Sequence, residues 1–227
     1  MTGYYDPEFC GGADFCQEFG QSNDIAFNRV YEGTPASRRI LSTETFELIA
    51  DLSPLTVGHL LLLPRPHFFS FAQVVAEHHD SVTEFLELIL PMYTLTFAAP
   101  TILEHGSTTS DDHNACITHA HWHIVPLESQ PILALAHRDG LEAVELEGLR
   151  ALGQLPWRRS AYYFLMHGDS ATAYVPKINS PRQYIRSLIG RTLGLEDPEW
   201  DYALIVRKQL LRQTIEMTRT WSRTLSL

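Results

Sequence analysis

Apolar positions fall into two rhythms along the chain. Residues 39–51 alternate loosely and predict two short strands around a Ser-Thr turn, while residues 59–63, bounded by Gly58 and Pro64, form a continuous apolar run suited to a strand buried on both faces. Residues 77–97 repeat apolar side chains at helical spacing (Val82, Phe85, Leu86, Ile89, Leu90, Tyr93), with Pro91 placed to kink the helix. Residues 101–104 and 115–125 predict two further strands. Beyond them, residues 141–152 read as a short acidic helix, 162–167 and 172–175 as a hairpin across Gly168-Asp169, and 180–193 and 201–221 as helices, the first capped by Ser180-Pro181. The expectation is an α+β chain with a first unit over residues 1–128 and an α+β extension over residues 129–227.

Within the last strand of the first unit, His119, His121 and His123 alternate with Ala120, Trp122 and Ile124, and Pro126 ends the run. On a strand this spacing puts three imidazoles on one face, roughly 6 to 7 Å apart, with the apolar residues anchoring the other face. Such a row serves either of two chemistries. It can ligate a metal with an open position for water, or one neutral imidazole can attack phosphorus while its neighbours fix its tautomer and hold phosphate oxygens. A solvated edge strand carries the same pattern without chemistry.

Composition narrows the partners. Hydrophobic residues make up 44% and charged residues 19% of 227, which is globular usage. The formal charge of −10, from 27 acidic against 17 basic side chains, argues against non-specific affinity for nucleic acid or an anionic membrane. No apolar run is long enough to span a bilayer, and the first twenty residues lack the features of a signal peptide. Cys10, Cys16 and Cys116 leave an odd cysteine and no disulfide framework, so a cytoplasmic address is expected.

Upstream of the row lie Asp51-Leu52-Ser53-Pro54 and then Gly58-His59, four leucines, Pro64-Arg65-Pro66-His67. Together with the His119-to-Val125 run, these segments resemble the histidine triad (HIT) superfamily over about residues 37–127. The resemblance implies an antiparallel sheet with flanking helices, often a homodimer, that binds a nucleotide derivative and attacks its α-phosphate. By that resemblance His121 is the nucleophile, His123 contacts phosphate or scissile oxygen, His119 supports, and His59 steadies the row. Asp51 receives the ribose hydroxyls, with Leu52 beside it in the substrate-binding set. The chemistry needs no cofactor, but some members hold a structural zinc, for which Cys10, Cys16, His67 and His119 are the candidates here.

The chain departs from the family pattern in carrying Glu104-His105-Gly106 for Asn-x-Gly, a longer loop, no Gln ahead of the row, and Cys116 in place of Ser. Asn114 and Cys116 are candidate replacements for the lost phosphate contact. Gln183 and Arg186, three apart near a helix start where amides favour phosphate, are two more. The expected activity is hydrolysis releasing a nucleoside monophosphate. A nucleotidyltransferase or phosphorylase, or a non-catalytic nucleotide- or metal-binding module, are the alternatives.

Overall fold

A computed structural model describes residues 14–20, 24–108, 119–177, 180–196, 199–201 and 204–221. It contains helices α1 (Asp14–Phe19), α2 (Ala26–Tyr31), α3 (Phe71–Thr96), α4 (Ser129–Arg138), α5 (Leu149–Leu152), α6 (Tyr184–Thr192) and α7 (Lys208–Thr218). Its strands are β1 (Arg39–Ser42), β2 (Phe46–Ala50), β3 (Leu60–Pro64), β4 (Thr101–Gly106), β5 (Trp122–Val125), β6 (Ala143–Leu146), β7 (Tyr162–His167) and β8 (Ser170–Tyr174). All eight strands form one antiparallel sheet in the order β1-β2-β3-β5-β4-β7-β8-β6. The architecture is α+β, and the sheet runs without a break from the first half of the chain into the second, because β7 pairs with β4 over six residues.

Strands β2 and β3 are buried along their whole length, which is why β3 reads as unbroken leucine rather than alternation. One sheet face packs on α3 through Leu48, Leu60, Leu62, Trp122, Ile124, Tyr162 and Phe164. The other face carries two separate apolar patches. Ile49, Leu61 and Leu63 lie under Phe15 of α1, and Leu103, Leu165 and Tyr163 lie under Ile132 of α4 and Ile185, Leu188 and Ile189 of α6. His123 pairs in register with Leu61 on one side and Leu103 on the other, so it sits on the strip between the two patches.

Three expectations change. The helix α3 begins at Phe71, and its non-helical break falls at His78 (φ −135°, ψ 33°) while Pro91 lies inside it. Its start is fixed from another element, since the buried Glu104 carboxylate accepts the Phe71 N–H at 2.7 Å. Residues 141–152 are not one helix: Ala143–Leu146 pairs with β8 as an edge strand, and only Leu149–Leu152 is helical. Finally, the ladder of β5 begins at Trp122, so His119 and His121 precede the strand. Among the described residues no helix is long and apolar enough to cross a membrane.

Candidate functional site

The histidine run divides into two groups. His123, on β5, lies with His59 and Asp51, whose donor atoms fall within 4.8 Å of one another, and His119 lies with Cys16 and His67 on the same criterion. His121 stands between them, 5.0 Å from the His123 ring and 5.6 Å from Phe15 by ring centroids. Of the three it is the least buried.

The local sequence explains the placement. Asp51 follows β2 two residues after Ile49, and His59 precedes β3 two residues before Leu61, so both continue the face that carries His123. Gly58 makes the entry to β3. Its φ is +86°, and a Cβ there would lie 2.8 Å from the Phe97 ring, so a side chain would be both strained and blocked.

Hydrogen bonds assign the tautomers. The Leu55 N–H donates to His59 Nδ1 (3.3 Å), which puts the His59 proton on Nε2. That Nε2–H donates to His123 Nδ1 at 2.9 Å, which in turn leaves the His123 proton on its own Nε2. His121 is fixed in the same sense by its Nδ1–H, which donates to the His119 carbonyl at 2.8 Å and leaves a lone pair on Nε2. Adjacent rings therefore present complementary atoms: a lone pair on His121 and a donor on His123.

Electrostatics keep these rings neutral. Burial holds His121 below the ordinary histidine range and His123 well below it, with neighbouring imidazoles adding to the depression at His123. Burial lowers His59 to about 4, against an opposing pull from Asp51. For Asp51, burial alone favours the acid form, yet Arg186, His59, His123 and the Ser53 N–H together hold it well below the usual carboxylate range. Asp51 Oδ1 accepts the Ser53 N–H (2.8 Å), Oδ2 accepts Arg186 Nη1 (3.0 Å), and Oδ2 lies 3.9 Å from His59 Nε2.

The second group has the donors of a metal site. The His119 Nε2–H donates to the Pro64 carbonyl at 2.7 Å, so its Nδ1 lone pair faces Cys16 Sγ at 3.2 Å, and His67 Nδ1 lies 3.4 Å from the same sulfur. Two imidazole nitrogens and one sulfur, with a backbone carbonyl orienting one ring, fit a zinc-type cation. Cys16 is disulfide-bonded here, against the expectation of no disulfide, so its sulfur must be reduced before it can act as a thiolate ligand. A metal in this position would tie α1 to the segments around His67 and His119. Cys10, the fourth candidate ligand, lies outside the described residues, as do Asn114 and Cys116.

Arg186, expected as a phosphate contact, instead meets Asp51. Gln183 is turned elsewhere: its Nε2 donates to Asp201 Oδ1 at 2.6 Å. Leu52 is partly buried, and its carbonyl accepts the Tyr31 hydroxyl at 2.7 Å. Ser53 escaped the sequence reading as a site residue; it packs its backbone and hydroxyl between Asp51, Arg186 and Ile205, and nothing local in the sequence marks it. Glu104, on the face opposite His123, is structural. It accepts from Phe71 N–H, Trp122 Nε1 and the Tyr162 hydroxyl, and burial raises its pKa to about 7 against those donors.

The solved structures the chain matches include histidine triad proteins. A hypothetical histidine triad nucleotide-binding protein from Sulfolobus tokodaii is 14% identical over 88% of this chain and 96% of its own, with a TM-score of 0.37. A HIT family hydrolase from Clostridium thermocellum is 14% identical over 47% of this chain and 93% of its own (TM-score 0.33), and a zinc-bound histidine triad family protein from Mycobacterium smegmatis is 22% identical over 47% and 77% (TM-score 0.33). No protein-family model and no curated protein matches the chain.

Proposed function

We infer that this chain is a histidine triad enzyme that cleaves the α-phosphate bond of a nucleotide derivative by way of a nucleotidyl-histidine. The observation that carries this reading is the pairing of a His121 Nε2 lone pair with a His123 Nε2–H on adjacent rings, each set by a hydrogen bond on the far nitrogen. In the first step His121 Nε2 forms a bond to the α-phosphorus as the bond to the leaving group breaks. In this reading the His123 Nε2–H donates to a phosphoryl or leaving-group oxygen. The positive charge that develops on His121 is shared with the His119 carbonyl through Nδ1–H. In the second step water attacks phosphorus, the N–P bond breaks, and His121 regains its lone pair as the nucleoside monophosphate departs.

In this reading Asp51, held ionised, accepts the sugar hydroxyls. No step draws on a metal, and the Cys16–His67–His119 group has a supporting role in this reading. Brief incubation with nucleoside phosphoramidates, dinucleoside polyphosphates and nucleotide sugars, followed by acid-free mass spectrometry, is expected to show a nucleotidyl adduct on His121. Absence of adduct and turnover with the whole panel, in metal-replete protein, overturns the enzyme reading. Formation of nucleoside diphosphate when phosphate is added would replace hydrolase with phosphorylase.

A further inference from the structure

The loop between β2 and β3, residues 51–59, carries both Asp51 and His59, and the second half of the chain holds it from one end to the other. Arg186 of α6 donates Nη1–H to Asp51 Oδ2 (3.0 Å), Nη2–H to the Ser53 carbonyl (2.8 Å) and Nε–H to the Trp200 carbonyl (3.0 Å). The Ser53 hydroxyl donates to the Ile205 carbonyl (2.6 Å) and accepts the Arg207 N–H (3.3 Å). At the other end Gly58 N–H donates to Thr214 Oγ1 at 2.9 Å. Arg186 is only 5% exposed, as is Asp51, so water does not stand in for these bonds.

The fork fixes more than position. With Ser53 N–H on Oδ1 and Arg186 on Oδ2, each carboxylate oxygen has spent one of its two lone-pair directions. What remains is one acceptor direction per oxygen on a group that cannot rotate. Two acceptors at the spacing of a carboxylate match two neighbouring hydroxyls, and a single hydroxyl leaves one of them without a donor.

We propose that Arg186 is a positioning residue that makes Asp51 a selector for the vicinal diol of a ribonucleoside, so that the second half of the chain sets the sugar preference of the site. The proposal rests on the nucleotide reading above. Arg186 acts through Asp51: its guanidinium donates to Asp51, Ser53 and Trp200, and the nucleophile His121 makes its own bond to the His119 carbonyl.

The test is titration calorimetry of the full chain with AMP, GMP, CMP and UMP and their 2′-deoxy forms. The wild type is expected to bind at least one ribonucleotide about 10- to 100-fold more tightly than its deoxy counterpart, the range for a hydrogen bond to a charged group. In Arg186→Gln that ratio is expected to fall towards one, with the deoxy affinity little changed and the residual ribose preference weakening further as pH falls, because a buried Asp51 without its cation is more easily protonated. Arg186→Lys keeps the charge and loses the fork, and is expected to give an intermediate ratio. Arg191→Gln removes the ion pair to Asp139 from the same helix and is expected to leave the ratio intact. Variants that melt earlier but keep the wild-type ratio overturn the proposal, since a purely structural Arg186 would weaken both sugars alike. If Arg186→Gln does not fold, the Lys variant decides on the same ratio. A wild type that binds both sugars equally overturns this proposal alone, and one that binds no nucleotide overturns the nucleotide reading beneath it.

Discussion

His119 and His123 stand four residues apart in one run and are alike in burial, at 1% and 5% exposure, and in being held neutral. They differ in what each far nitrogen meets. His119 gives Nε2–H to a backbone carbonyl and turns Nδ1 to a sulfur and a second imidazole's cluster, which is the arrangement of a ligand. His123 accepts the His59 Nε2–H on Nδ1 and keeps its own Nε2–H beside His121, where the proposed mechanism uses it as a donor. Spacing made the two residues look equivalent, and the hydrogen bond on the nitrogen that does no chemistry separates them.

The sharpest way to break the contrast is to delete one member from each side. His121→Gly is expected to abolish the adduct and lower turnover by about 10³-fold or more. His119→Asn is expected to leave an adduct on His121 while lowering the melting temperature; equal losses of turnover in the two variants would dissolve the distinction. His59→Phe removes the bond that sets the His123 tautomer, and kcat is expected to fall about 10- to 100-fold, the range for partners that orient an imidazole.

Acid tests both groups at once. Burial sets His59 at about 4 and His119 at about 3 in the fold, against about 6.5 when unfolded. These are depressed histidines, so the unfolded chain binds the extra protons. Their contribution to stability is whole above about pH 6.5 and is lost as pH falls towards the folded values, a few kcal/mol for the set. Denaturant midpoints measured from pH 7.5 to 4.5 should fall steadily, while the acid limb of kcat/KM should lie below the ordinary histidine pKa because His121 stays neutral. A flat stability profile would contradict the burial assignment.

Metal loading should have the smallest effect on chemistry. After reduction, zinc is expected to raise the melting temperature by several degrees, by preferential binding to the folded chain, and Cys16→Ser or His67→Ala should remove that gain without changing turnover per folded molecule. A turnover that tracks zinc content would move the metal from support to catalysis.

Much of this was legible in the sequence where one stretch decides its own fate. The unbroken leucines of β3 and the helical spacing after Val82 needed no distant partner. Residues 143–146 misled because their exposed, Glu-containing edge strand has little apolar pattern, and pairing with β8 outweighs helical propensity. The alternation of histidines pointed to a shared face, yet the ladder stops at Trp122, and Cys16 and Pro64 draw His119 aside. Arg186 was visible as a candidate near a helix start. Its partner Asp51, 135 residues away, was not, because which carboxylate a buried guanidinium meets is a property of the assembled sheet.

That sheet also bears on where a second copy of the chain could add a strand. The outer edge of β4 is where a second molecule could add a strand one strand away from His123, and β7 of the same chain already fills it. Among the described residues the terminal strands are β1 and β6, on opposite margins and several strands from His123. A dimer built by strand addition at β1 or β6 would therefore leave each histidine strip to its own polypeptide.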